Sequence, residues 1–271
     1  AVYYESGGTG PAVVLIHGVG GGNSGHQWRL NTAALAREHT VYVLDLPGFG
    51  RSPVEAKPYT ADLYTGVLRE FLREVTPGGA SVVASSLPAA YVINIAAQEP
   101  ALVRRLVLVS PTGLDRLVDA PNEGFYRALT TTPLGALIAG VLRGRTGINY
   151  FLTRQVYLDT SRVTPEVTDL YARNLRGPNR EFPVFSFISG KLNAGVRESW
   201  PRVTQPTLLV WGSDDVNTPV AGAEAFTALR PGVRLEVLRG RAIPNDEQAA
   251  EFDRLTLDFL AGDAGTATLA P

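Results

Sequence analysis

Three short apolar runs in the first 110 residues lead into side chains and turns that could do chemistry. Residues 12–16 run into His17-Gly18-Val19-Gly20-Gly21-Gly22, and residues 40–46 open the stretch Asp45-Leu46-Pro47-Gly48-Phe49-Gly50-Arg51-Ser52. Residues 81–84 are followed by Ser85-Ser86-Leu87-Pro88. A serine on a sharp turn between strand and helix can present its hydroxyl as a nucleophile, but backbones crowd there and the residues two positions away on both sides must be small. Ser86 has Ala84 and Pro88 in those places, whereas Ser85 has Val83 and Leu87, which are too bulky. Proline suits a first helical turn, where its missing N–H would be unpaired anyway. Such a hydroxyl stays weakly nucleophilic until a base takes its proton. The chain holds three histidines, His17, His26 and His39, and they show no metal-ligand spacing.

The elements that must position these groups follow from the hydrophobic pattern. Short β-branched runs alternate with helical stretches, the signal for βαβ units and a parallel sheet. The pattern predicts strands at 12–16, 40–46, 81–84, 105–110, 207–211 and 234–238. Helices are predicted at 28–38, 60–75, 87–98, 221–229 and 247–260. In an open parallel sheet ligands collect at the carboxyl ends of the strands, where the three motifs lie. Residues 111–200 break the alternation: they hold 10 of the 23 aromatics at helix-like spacing with Pro/Gly punctuation, and are read as a helical cap over the end of the sheet. Residues 262–271 are small and polar, without periodicity, and are read as a flexible tail.

Composition removes whole classes of function. With 25 Lys+Arg against 26 Asp+Glu the net charge is -1, so no global positive field exists to hold nucleic acid or an anionic membrane. Hydrophobic residues at 45% and charged residues at 19% are globular values. No apolar run approaches the roughly 18 residues of a membrane span. The absence of cysteine excludes disulfide frameworks, thiolate metal sites and cysteine nucleophiles together. Methionine is absent too, so the start at Ala1 is read as processed or trimmed; a cytoplasmic location is expected, with a removed targeting peptide left open. The expected partner is a small, partly hydrophobic molecule, with no cofactor or metal, and the oligomeric state is left open.

In their order along the chain, the His17-Gly18 turn, the D-x-P-G-x-G-x-S loop from Asp45 to Ser52 and the serine in its strand-to-helix turn resemble the α/β-hydrolase superfamily. Trp211-Gly212-Ser213-Asp214-Asp215 and the closing helical stretch extend the resemblance over nearly the whole chain outside 111–200. It implies an α/β-hydrolase fold: a mostly parallel central sheet flanked by helices, with the core at 1–110 and 201–261 and an inserted helical cap at 111–200. It also implies a carboxylesterase-like serine hydrolase acting on an ester-like or C–C acyl substrate. Members that form an alkyl ester use aspartate where this chain has serine. Carried over by motif, Ser86 is the nucleophile, and the N–H groups of Leu87 and of Val19 or Gly20 form the oxyanion hole. The G-x-x-D spacing makes Asp215 the acid that orients an imidazole, with Asp214 the alternative.

The family's histidine is missing. Residues 239–247 (RGRAIPNDE) contain none. Counting back five from Glu247, as in G-H-x-x-x-x-E, reaches Ala242, while a P-H-[DE]-E register reaches Asn245. Asn245 is preferred, because Pro244, Asp246 and Glu247 match its neighbours. Neither residue accepts a proton near neutrality, so the chain is expected to be a poor hydrolase. It is then an inactivated variant of an active enzyme, a ligand-binding pseudoenzyme, or a hydrolase with a displaced base. His26, in the Gly-rich loop before Trp28, is the candidate displaced base; His17 belongs to the turn, and His39 lies at the opposite end of the sheet. A rival from another class is a dinucleotide-binding protein. Gly20, Gly22 and Gly25 fit G-x-G-x-x-G, and Asp45 follows Gly25 by 20 residues. That reading leaves Ser86 and Asp215 unexplained.

Overall fold

The computed structural model describes residues 1–114 and 120–262. Among these residues seven strands form one sheet: β1 (Tyr3–Gly7), β2 (Ala12–Ile16), β3 (Thr40–Asp45), β4 (Ala80–Ser85), β5 (Val103–Val109), β6 (Thr207–Gly212) and β7 (Arg234–Leu238). Their spatial order is β1-β3-β2-β4-β5-β6-β7. β1 runs antiparallel to β3, and every other pair is parallel. β1 was not foreseen from the pattern, because YYESG carries no apolar run and lies at an edge with most of its side chains exposed.

Side chains alternate across the sheet, so each strand feeds two cores. Val14, Ile16, Val82, Ala84, Leu106 and Leu108 pack with Tyr64, Leu68 and Leu72 of α2 (Ala61–Val75), Tyr91 and Ile95 of α3 (Leu87–Gln98), and Phe226 of α9 (Ala223–Leu229). Val13, Leu15, Val83, Val107, Leu208 and Val210 pack on the other face with Leu35 of α1 (Thr32–Leu35) and with Phe252 and Leu255 of α11 (Ala249–Ala261). The central strands are buried on both faces, which is why they read as unbroken apolar runs.

Among the described residues between β5 and β6 lie five α-helices: α4 (Glu123–Thr131), α5 (Pro133–Arg143), α6 (Arg145–Phe151), α7 (Pro165–Asn174) and α8 (Glu181–Ile188). Their starts are written in the sequence. The side chains of Asn122, Thr132 and Thr164 accept the N–H of Phe125, Leu134 and Val167, and Pro133 and Pro165 open α5 and α7.

Two expected helices differ from those observed. The stretch 28–38 is a 3-10 turn over Gly25–Trp28 followed by the four-residue α1. Asn31 separates the two, and its amide nitrogen donates to Asn245 O and Asp253 Oδ1 instead of capping α1. The closing helix is broken at Gln248 (φ -125°, ψ 47°) into α10 (Pro244–Glu247) and α11. The expected tail lies outside the described residues beyond Gly262. Among the described residues no single helix is long and apolar enough to cross a membrane.

The strand order fixes where a ligand can sit. From β2 the chain moves to β3 on one side, then returns through α2 to place β4 on the other. The connections after β2 and β4 therefore diverge and leave a crevice at the carboxyl ends of these strands. His17–Gly22 follows β2, and Ser86 follows β4.

Candidate active site

Ser86 is the turn between β4 and α3. Its φ of 61° and ψ of -132° are sparsely populated for a residue with a side chain. The turn is held from both sides: Ser86 N–H donates to Val109 O (2.9 Å), and Ser86 O accepts from Ala89 N–H (3.0 Å). Ala84, Ala89 and Ala90 are fully buried around it, the close packing that small neighbours permit. Pro88 stands in the first turn of α3. Among the described residues nothing hydrogen-bonds the Ser86 hydroxyl, or the N–H of Leu87 that opens the helix.

The loop after β2 is braced from behind. Gln27 Oε1 accepts from Gly18 N–H (2.9 Å) and Asn23 Nδ2 (2.8 Å), and Asn23 Nδ2 also donates to Gly18 O (3.0 Å). His17 ties the same loop to the end of β3. Leu46 N–H donates to its Nε2 (3.1 Å), so the proton is on Nδ1, which bonds Gly18 O (2.8 Å). The ring is wholly buried, and that desolvation holds its pKa below the usual histidine range. A Cβ on Gly18 would stand 3.6 Å from Ser86 Cβ, so the loop passes directly beside the turn. Among the described residues no acceptor takes the N–H of Val19 or Gly20. The bracing by Gln27 and Asn23 had no recognisable pattern in sequence.

Asp215 follows β6 and is buried. Its Oδ1 accepts the N–H groups of Asn217 (2.9 Å) and Thr218 (3.0 Å), and its Oδ2 accepts from Thr218 Oγ1 (3.2 Å). Asp214 is exposed and takes a bond from Ser213 Oγ (2.6 Å).

A cavity of about 390 Å³ lies over the carboxyl ends of these strands. Val19, Gly20, Ser86, Asp215 and Ala242 line its floor and sides, and Ile148, Phe151, Tyr171 and Val184 come from the helical insertion. Of the two base positions read from sequence, Ala242 lines this cavity and Asn245 does not. Asn245 is fully buried in α10, and its Nδ2 donates to Gln27 O (3.0 Å) and Asn31 Oδ1 (3.1 Å). The flanking residues that recommended Asn245 have structural partners. Asp246 pairs with Arg29 and accepts from Tyr157 Oη (3.2 Å). Glu247 accepts the N–H groups of Leu158 (2.9 Å), Asp159 (2.9 Å) and Arg241 (2.7 Å). These bonds clamp the run so that Ala242, three residues earlier, faces the cavity.

His26 is not among the cavity's lining residues. Its Nδ1 lies 2.8 Å from Ser24 Oγ, and its ring sits edge-on to Tyr171 at 4.7 Å between centroids. Burial, assisted by Arg29, pushes its pKa down to about 3. His39 is buried just ahead of β3, at the amino end of the parallel strands. Asp45, the acid of the dinucleotide pattern, is engaged on both oxygens. Oδ1 accepts from Gly25 N–H (2.6 Å) and Oδ2 from Arg51 N–H (2.8 Å), so both oxygens serve to close its own loop. Among the described residues no three His, Asp or Glu side chains are placed to hold a metal ion.

Residues 13–255 match the model of the Alpha/beta hydrolase family. An uncharacterized protein of Mycobacterium tuberculosis is 28% identical over 268 residues, covering 93% of this chain and 76% of that protein. A 2-hydroxy-6-oxononadienedioate/2-hydroxy-6-oxononatrienedioate hydrolase of Pseudomonas putida is 27% identical, covering 95% of this chain and 90% of that protein. The crystal structure of an enol-lactonase from Burkholderia xenovorans superposes with a TM-score of 0.77 at 21% identity, covering 96% of both chains.

Proposed function

We propose that this chain, which belongs to the Alpha/beta hydrolase family and has its fold, is a serine hydrolase for neutral, partly apolar esters whose base position is vacant at Ala242. The observation that carries this reading is the convergence of Ser86, Asp215, Ala242 and the unpaired N–H of Val19 on one cavity. In the reaction, Ser86 Oγ attacks the acyl carbon and the carbonyl oxygen gains charge. The N–H groups of Leu87 and of Val19 or Gly20 meet that charge. Asp215, held by three donors, is the group that would orient an imidazole and stabilise its cation. Ala242 offers no acceptor, so the Ser86 proton has no place to go and attack is slow. The helical insertion serves as the cap, and its apolar side chains roof the acyl group.

Charge narrows the substrate class. Among the described residues Asp215 is the one charged side chain on the cavity wall, with no Lys or Arg beside it. A carboxylate brought into this space would be desolvated without a counter-ion, which costs several kcal/mol. A neutral ester therefore fits better than the dioate named for the Pseudomonas putida relative. The missing base also favours a second reading, a pseudoenzyme that binds such a molecule without turning it over.

The test compares the unaltered chain with Ala242→His and Asn245→His on 4-nitrophenyl butyrate. General-base assistance is worth about 10² to 10⁴ in rate. A gain of that size in Ala242→His alone, abolished by adding Ser86→Ala, supports the hydrolase reading. No gain in either variant favours the pseudoenzyme.

A further inference from the structure

We infer that Ser110 and Thr112 form a hydrogen-bonding subsite for a neutral oxygen substituent of the substrate, a ketone, ether or alcohol oxygen remote from the reacting carbonyl. The inference rests on the reading of the Ser86 cavity as an acyl site. Both residues follow β5, which lies between β4 and β6, so they stand between the Ser86 turn and Asp215, on the side away from the loop after β2. Both line the cavity and are only 1% exposed, and among the described residues neither hydroxyl has a hydrogen-bond partner.

Buried hydroxyls without a partner are rare, and each one calls for an explanation. Two of them on one wall of one cavity point to a group that the ligand brings. On the same side Thr218 Oγ1 already donates to Asp215 Oδ2. Gln27 Nε2, also unpartnered, belongs to the opposite side, where the braced loop runs. Ser110 is held rigidly. Its φ is 42°, a left-handed conformation strained for a residue with a side chain, and its N–H is fixed to Val210 O at 2.9 Å. A hydroxyl on so constrained a backbone is preorganised to meet a ligand atom. It can donate to a ketone or ether oxygen and can also accept from an alcohol. A carboxylate at this subsite would lie near Asp215 with no cation to offset it.

Binding to the unaltered chain, whose slow turnover leaves time for titration calorimetry, tests the inference. The probes are 4-nitrophenyl esters with a ketone at C4, C5 or C6 of the acyl chain, each set against the isostere with a methyl branch in place of the ketone oxygen. At one of these positions the ketone should bind about tenfold tighter than its isostere. In Ser110→Ala/Thr112→Val the preference should shrink to about twofold, while the isostere's own affinity stays put. Ser110→Gly/Thr112→Val, which relieves the left-handed strain, should behave alike and guards against misfolding of the first variant. Equal binding of ketone and isostere at every position, or a preference that survives both double variants, overturns the subsite while leaving the acyl site standing. If neither ketone nor isostere binds, the acyl site itself fails and the subsite falls with it.

Discussion

Replacing Asn245 by histidine should weaken the fold without producing a hydrolase. Asn245 is fully buried, and its amide bridges Gln27 O (3.0 Å) and Asn31 Oδ1 (3.1 Å), joining α10 to the loop after β2. Each such bond contributes about 1 kcal/mol net, and a ring N–H can replace one of them at best. The imidazole is also larger than the amide, and overpacking a closed site costs about 1–3 kcal/mol. Together these give a loss of roughly 2–4 kcal/mol, a large share of the ~5–15 kcal/mol that holds a typical domain together. Ala242 faces open cavity, so Ala242→His should cost less than about 1 kcal/mol. Equilibrium unfolding in urea, followed by tryptophan fluorescence, reads both values, with the slope unchanged if only the native state is affected. A loss below about 1 kcal/mol for Asn245→His, or a Ser86-dependent rate gain in that variant, would refute the placement of the base position at 242.

In an Ala242→His background, Asp215→Asn should lower kcat on 4-nitrophenyl butyrate by about 10³ to 10⁴, because the amide stabilises the wrong imidazole tautomer; a loss below tenfold would remove Asp215 from its orienting role. Burial holds His26 near a pKa of about 3, so between about 6.5 and 3 the unfolded chain binds more protons than the folded one. Its contribution to stability is thus fully present above about 6.5 and is lost as pH falls through that window. Urea unfolding at several pH values should show a shallower acid loss in His26→Asn than in the parent; equal slopes would mean that the ring is not held neutral by the fold. NAD should leave the melting temperature unchanged, since both Asp45 oxygens brace the loop from Gly25 to Arg51, and a clear thermal shift would restore the dinucleotide reading.

The strained turn at Ser86, which depends on local crowding, was legible in the sequence. Ala84 and Pro88 single out Ser86 over Ser85, and the structure puts Ser86 at the strained turn. The glycine loop and Asp215 sit at strand ends, where the alternating pattern already put them. What failed to show depends on contacts distant in sequence. Pro244, Asp246 and Glu247 resembled the neighbours of a catalytic histidine, yet Asp246 is bound to Arg29 and Tyr157, and Glu247 to the backbone of Leu158 and Asp159. No local pattern announces a carboxylate that clamps a segment some 90 residues away. β1 stayed hidden because an exposed edge strand needs no apolar run. The break at Gln248 carries no glycine or proline to mark it. Nothing in the sequence sets Ser110 and Thr112 apart from other residues at the end of a strand; only their burial does.

As proposed, the Ser86 site lacks a base at residue 242 and otherwise stands ready. Free imidazole added to the unaltered chain tests this most directly, because the cavity beside Ala242 should accept the ring that the side chain omits. Hydrolysis of 4-nitrophenyl butyrate, corrected for the reaction in buffer, should rise with imidazole concentration to a plateau. The plateau should vanish in Ser86→Ala and in Ala242→Leu, whose side chain fills the space. A linear dependence, identical in all three proteins, would show that imidazole acts only in solution and that no vacant base position exists at residue 242.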